Sequence, residues 1–202
     1  CTVSEEVGME GASSIDVSML KGKKLLNMDS EEEGIMLASC AGGCSSRVTL
    51  KLDKNKVTGT KISITLSGLT GGHSGVEIDK GRGNANVLMS RILRDVVADN
   101  NVYLAAFNGG RKDNAIPREC MAEIIVAADK AADVKAAIEN TAKEIKEEFA
   151  TSDADLKCVI DISEGCSAEA VTYEDSIRAV SLIQSLPNGI MRMSQDIDNL
   201  VE

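Results

Sequence analysis

The residues best suited to chemistry gather at three places in the chain. In Thr70-Gly71-Gly72-His73-Ser74-Gly75, glycines wrap the only histidine of 202 residues. Glycine lets the backbone take positive φ and approach a ligand without a Cβ clash, so this imidazole could offer a hydrogen bond to an anionic or carbonyl oxygen. Near the start, Ser4-Glu5-Glu6-Val7-Gly8 sets two carboxylates side by side, and Asn27-Met28-Asp29-Ser30-Glu31-Glu32-Glu33-Gly34 adds an acidic turn. Successive residues of a strand point to opposite sides, so one of Glu5 and Glu6 can face a metal while the other faces a water. Taken singly, each motif also has a plain reading: a tight turn with a surface histidine, and two solvated acidic turns.

Elements must stand behind these groups. Residues 1–6 read as the end of a strand, 7–20 as a loop and short helix, and 24–28 and 35–39 as short apolar strands around the acidic turn. From Ser46 the pattern alternates: Val48, Leu50 and Leu52 predict one half-buried strand, and Ile62, Ile64 and Leu66 predict another that leads into the His73 loop. Leu88, Ile92 and Val96 mark an amphipathic helix reaching about residue 100, followed by strands at 102–107 and 120–127. A charged helix over 131–150 turns Val134, Ile138, Ile145 and Phe149 to one side. A strand with Leu156, Cys158, Ile160 and Ile162, a helix over 175–186 and a last strand from 189 complete the chain. The β-α-β-β-α-β order predicts an α+β, ferredoxin-like sandwich, with helices on one face of a largely antiparallel sheet.

Composition narrows the function classes. A formal charge of −10 argues against nucleic acid or an anionic membrane as partner, since both select clustered Lys and Arg. No apolar run approaches the ~20 residues of a transmembrane helix. The six cysteines are scattered, and the one close pair, Cys40 and Cys44, lacks the second pair or the histidines of a metal knuckle, so free thiols in a reducing cytoplasm are expected. The chain opens at Cys1 in what reads as a strand and is expected to be a fragment of a longer protein.

The motifs together resemble a known family. The Thr70–Gly75 run, followed by Ile78 and Gly81-Arg82-Gly83-Asn84-Ala85, is similar to the lid or dimerisation domain of the co-catalytic zinc exopeptidases. The two acidic motifs with Cys40-Ala41-Gly42-Gly43 after them, Asn114-Ala115-Ile116-Pro117-Arg118-Glu119, and Pro187-Asn188-Gly189-Ile190-Met191-Arg192 resemble the aminoacyl-histidine (Xaa-His) dipeptidases, the carnosinase-like branch of that superfamily. The resemblance implies a cytoplasmic, dimeric dipeptidase with two zinc ions per active site. Residues 1–44 would be a remnant of its α/β catalytic domain and 45–202 most of its lid. It further implies that Glu5 is the general base, Glu6 a ligand of one zinc and Asp29 of the other. His73 would hold the substrate carbonyl as it becomes an oxyanion, and Asn114 would be a lid contact to the dipeptide.

The family's His-x-Asp motif, its metal-bridging Asp and its late His have no counterpart here, so the chain alone is expected to bind zinc weakly and to hydrolyse nothing. The alternatives are a non-catalytic dimerisation or substrate-binding module and an aminoacylase or carboxypeptidase relative. On local grounds Asn114 could simply shape a turn, and Arg192 reads as an exposed side chain.

Overall fold

A computed structural model describes residues 4, 9–26, 33–36, 42–98, 101–198 and 200–201. The chain divides into two compact units, Cys1–Val48 and Thr49–Glu202.

In the first unit the described residues form one helical turn, α1 (Glu10–Ser13), and a 3-10 turn, Val17–Met19, capped by Asp16 Oδ1 accepting from Ser18 N at 2.9 Å. None of its described residues is buried, and Leu25, Leu26 and Met36 stand 87%, 87% and 91% exposed. The strands expected at 24–28 and 35–39 are absent at the described positions 24–26 and 35–36.

The second unit is built on a four-stranded sheet. Its strands are β1 (Lys54–Ser67), β3 (Tyr103–Gly109), β5 (Cys120–Val126) and β6 (Lys157–Val171), in spatial order β3-β5-β1-β6, with every neighbouring pair antiparallel. A small ribbon pairs β2 (Gly72–His73) with β4 (Ala115–Ile116). The helices are α2 (Ala85–Val97), α3 (Ala131–Glu148) and α4 (Tyr173–Ser185). Along the main sheet the order is β-α-β-β-α-β, the ferredoxin-like arrangement that the sequence predicts.

Alternation decides which face the helices cover. Ile62, Ile64 and Leu66 of β1 lie opposite Ile124, Ala122 and Cys120 of β5, all 2% exposed or less. Leu88, Met89, Ile92, Leu93 and Val96 of α2 and Val134, Ile138 and Ile145 of α3 close over them in one cluster. Thr141 Oγ1 donates to Asp95 Oδ2 at 3.0 Å and Arg91 pairs with Glu148 at 2.7 Å, tying α3 to α2. Ser176 of α4 accepts from Leu104 N at 2.8 Å, so a helix satisfies a main-chain group on the β3 edge. β6 forms the opposite edge, with no strand beyond it among the described residues.

Two expected strands are corrected. Residues 46–52 form no strand: Leu50 and Leu52 pack on the core, but the backbone there has no ladder partner and Val48 is exposed. Residues 189–194 contribute only one isolated bridge, Met193 to Val201. Conversely, β6 runs nine residues past Ile162 to Val171 through a register shift opposite Gly59 and Lys61. Cys44, Cys120, Cys158 and Cys166 are free thiols. Burial pushes Cys120 up to about 12, and burial with the nearby Glu139 charge pushes Cys158 up to about 11.

Ile64 sits at the centre of this packing, between Ala122 and Ile160 of the neighbouring strands, with no exposed surface. Ile64→Ala is expected to cost about 2–5 kcal/mol of stability, read as a lower urea midpoint at unchanged slope; a midpoint within error of the parent would contradict the packing described.

Candidate functional site

β1 ends at Ser67, and residues 68–84 leave the sheet as a long loop before Asn84 caps α2, its Oδ1 accepting from Asn86 N at 3.0 Å and Val87 N at 3.4 Å. Within the loop, Gly72 pairs with Ile116 and His73 with Ala115, and Ser74 N donates to Asn114 O at 2.9 Å. The ribbon thus brings the expected His73 and Asn114 side by side, both exposed.

The imidazole is held in a defined state. His73 Nδ1 accepts from the N–H groups of Gly75 and Val76, each at 3.1 Å. A nitrogen that accepts carries the lone pair, so the neutral ring bears its proton on Nε2. His73 is therefore arranged as a donor, as stabilising an oxyanion requires.

The glycines act differently from the sequence expectation. Gly72 has φ +139°, and the space its missing Cβ leaves is filled by the protein: a Cβ there would meet Arg82 Nη1 and come within 2.6 Å of Glu77 Oε2. At Gly71 the corresponding space holds the Arg118 side chain. Close approach here is to two arginine side chains, through the guanidinium of Arg82 and the aliphatic stem of Arg118. Arg82 donates to Gly71 O and pairs with Glu77 Oε1 at 2.8 Å, while Arg118 Nε donates to Leu69 O at 3.1 Å. Glu77 Oε2 accepts from His73 N at 2.9 Å. That N–H, aided by Arg82 and opposed by partial burial, holds the Glu77 carboxyl below its usual range.

One buried carboxylate ties the two ends of the loop together. Asp153, 1% exposed in the turn between α3 and β6, accepts from Thr70 N through Oδ1 and from Gly83 N through Oδ2, both at 2.8 Å; Ser152 Oγ also donates to Oδ2 at 2.8 Å. Burial pushes its carboxyl up, but the N–H groups of Gly83 and Thr70 and the Ser152 hydroxyl outweigh it, and Asp153 titrates below the usual carboxylate range. Neither Asp153 nor Glu77 stands out in the sequence. Beside the ribbon lies a cleft of about 520 Å³ whose lining includes Ser74, Arg82, Asn84, Arg111, Lys112 and Asn188. Asn188, from the Pro187-Asn188-Gly189 motif, accepts from Asn84 Nδ2 at 2.7 Å.

The expected Glu5, Glu6 and Asp29 lie outside the described residues. Among the described residues no group of three or more His, Cys, Asp or Glu side chains is gathered as a metal site would require. No helix among them is long and apolar enough to cross a membrane.

Residues 64–153 match the model of a peptidase dimerisation domain, from Ile64 in β1 to Asp153 itself. This stretch is a peptidase dimerisation domain. The chain that carries the domain is 40% identical over its full length to the cytosol non-specific dipeptidase of Escherichia coli, of which it spans 42%. It also superposes, over its full length and 41% of the other chain, on the aminoacylhistidine dipeptidase of Vibrio alginolyticus with a TM-score of 0.72 and 29% identity. The family resemblance carried by the motifs and the fold of the dimerisation domain agree with both relatives.

Removing the Asp153 staple has a signed consequence. Asp153→Ala leaves the N–H groups of Thr70 and Gly83 without their acceptor and is expected to cost roughly 2–4 kcal/mol. Because the folded carboxyl titrates below its unfolded value of about 3.9, its contribution is complete above that pH and is lost as pH falls through the folded value. Urea unfolding at pH 7 and at pH 3 should therefore show a smaller difference between parent and variant at the lower pH; an equal or larger difference there would contradict the assignment.

Proposed function

We propose that this chain is part of a zinc-dependent dipeptidase, with dipeptides ending in histidine among its substrates. In this reading residues 1–44 belong to the catalytic domain and residues 45–202 to the lid. The observation that carries the reading is the state of His73, whose Nδ1 is held by two amides so that the proton sits on Nε2. A donor oriented before reaction favours the oxyanion over the ground-state carbonyl, because no reorganisation is needed as the charge develops.

The roles follow from that donor. His73 holds the carbonyl oxygen of the scissile bond, and Asn114, which precedes the paired strand of the ribbon and accepts from Ser74 N, contacts the substrate. Glu5 takes a proton from the attacking water and passes it to the leaving amine. Glu6 would hold one zinc and Asp29 the other, and the pair would supply Lewis-acid polarisation of the water and the carbonyl. One ligand to each metal falls short of the three or four that zinc takes, so metal binding and turnover need chain beyond these 202 residues. The exposure of Leu25, Leu26 and Met36 supports packing of the first unit on further protein. The amides and cations lining the cleft beside the ribbon suit the carboxylate of a short peptide.

The open edge of β6, where Val159 and Ile162 are 49% and 41% exposed, supports a homodimer formed through the dimerisation domain. A cytoplasmic location agrees with the name of the Escherichia coli relative and with the free thiols.

The test is a zinc titration by calorimetry on this chain and on one extended in both directions, each then assayed with β-alanyl-histidine and glycyl-histidine. The extended form is expected to bind about two zinc ions and to cleave. Glu5→Ala in it should retain metal and lose turnover, and His73→Ala should lower kcat roughly 100- to 1,000-fold. An extended chain that takes up no zinc would sink the carboxylate assignments, and full turnover in His73→Ala would sink the oxyanion role.

A further inference from the structure

We propose that Glu77 is the positioning residue for His73: with Arg82 it braces the turn that keeps the imidazole's Nε2–H directed outward. Four hydrogen-bonding contacts link residues 71, 73, 77 and 82. Glu77 Oε2 accepts from His73 N at 2.9 Å, and Glu77 N donates back to His73 O at 3.1 Å, closing a reciprocal ring between residues 73 and 77. Glu77 Oε1 pairs with Arg82 Nη1 at 2.8 Å, and the same nitrogen donates to Gly71 O. The carbonyl of residue 71 and the N–H of residue 73 are thereby fixed by one ion pair, while the carbonyl of residue 73 is held by the main-chain N–H of Glu77.

The brace reaches the ring through the backbone. The amides that hold Nδ1 belong to Gly75 and Val76, which lie inside the turn that the 73–77 contacts close, and Ile78 N donating to Gly75 O at 3.2 Å tightens it further. If the turn relaxes, those two donors leave Nδ1 and nothing selects between the two neutral tautomers. The pair is built in rather than laid on the surface. Its side chains are 34% and 21% exposed, and Gly72 must lack a Cβ to make room for them. Glu77 has no contact with reacting atoms in this scheme and acts only through His73.

Because His73 is the only histidine, the ring can be read directly in this chain. A long-range 1H–15N spectrum of the labelled protein, at a pH where the ring is neutral, is expected to show one tautomer with the proton on Nε2. In Glu77→Ala the two nitrogen shifts should converge towards a mixture. Glu77→Gln keeps a carbonyl acceptor for His73 N and should stay near the parent, and Arg82→Ala should move in the direction of Glu77→Ala. Backbone amide spectra report whether each variant keeps the fold, and the Arg82 variant carries the test if Glu77→Ala does not fold. A parent that is already a mixture, or folded Glu77→Ala and Arg82→Ala proteins with parental ring shifts, would overturn the brace.

The consequence for turnover rests on the dipeptidase reading. In the extended, zinc-loaded chain, Glu77→Ala is expected to lower kcat about 10- to 100-fold with KM within about twofold and zinc content unchanged, and Glu77→Gln to recover most of the loss. Parental kcat in a folded Glu77→Ala enzyme would overturn the proposal. An extended parent with no activity would sink the dipeptidase reading while leaving the tautomer result to decide the brace.

Discussion

A single buried carboxylate connects the core of this domain to its site. Asp153 lies in the turn between α3 and β6, with its own N–H donating to Phe149 O at 2.8 Å and its carbonyl accepting from Leu156 N at 2.9 Å. Its position is therefore fixed by two elements packed into the core. Its two oxygens then hold Thr70 and Gly83, the two ends of the segment that carries His73, Glu77 and Arg82. A free loop of that length would sample many conformations, and joining its ends removes most of them. Burying a carboxylate is unfavourable unless its lone pairs are met, and here two backbone amides and a hydroxyl meet them. The same bonds that offset the burial order the loop.

Inside that closure a second layer of charge acts on the backbone. The chain is acidic overall, yet the site region carries Arg82, Arg111, Lys112 and Arg118. Arg82 is engaged with Glu77 and Gly71 O, Arg111 with Glu119, and Arg118 with Leu69 O. At Arg82 and Arg118 the guanidinium holds main-chain carbonyls in place, a task suited to its rigid, many-donor fork. The result is a histidine whose ring nitrogen is held by amides, those amides by a turn, and the turn by an ion pair.

Much of the framework was legible in the residues because burial on one face leaves a period. Ile62, Ile64 and Leu66 alternate since β1 is covered by helices on one side only, and Leu88, Ile92 and Val96 repeat at helical spacing for the same reason. Alternation failed at residues 46–52, where Leu50 and Leu52 reach the core without a ladder partner, because the pattern records burial and not hydrogen bonding. The far half of β6 was invisible because Ser163, Glu164 and Gly165 lie exposed at a sheet edge and carry no apolar period. His73 and Asn114 stood out as motif residues, whereas the ribbon that joins them is two residues a strand, too short for any periodic signal. Asp153 and Glu77 were two among 32 acidic residues, and only their partners, 70 to 83 positions away for Asp153, distinguish them.

The open edge and the site are physically contiguous. β6 and α3 flank the turn that carries Asp153, and β6 is also the strand whose outer edge has no strand beyond it among the described residues. From that edge the path runs through the α3–β6 turn to Asp153, across two 2.8 Å hydrogen bonds to Thr70 and Gly83, and along the braced loop to the imidazole. Every link is a covalent bond or a short hydrogen bond. A subunit packed along β6 and α3, as in the proposed homodimer, would bear on the element that holds the His73 loop. The loop is thus anchored from two sides, by Asp153 in the α3–β6 connection and by the ribbon and Arg118 in the segment that leads into β5.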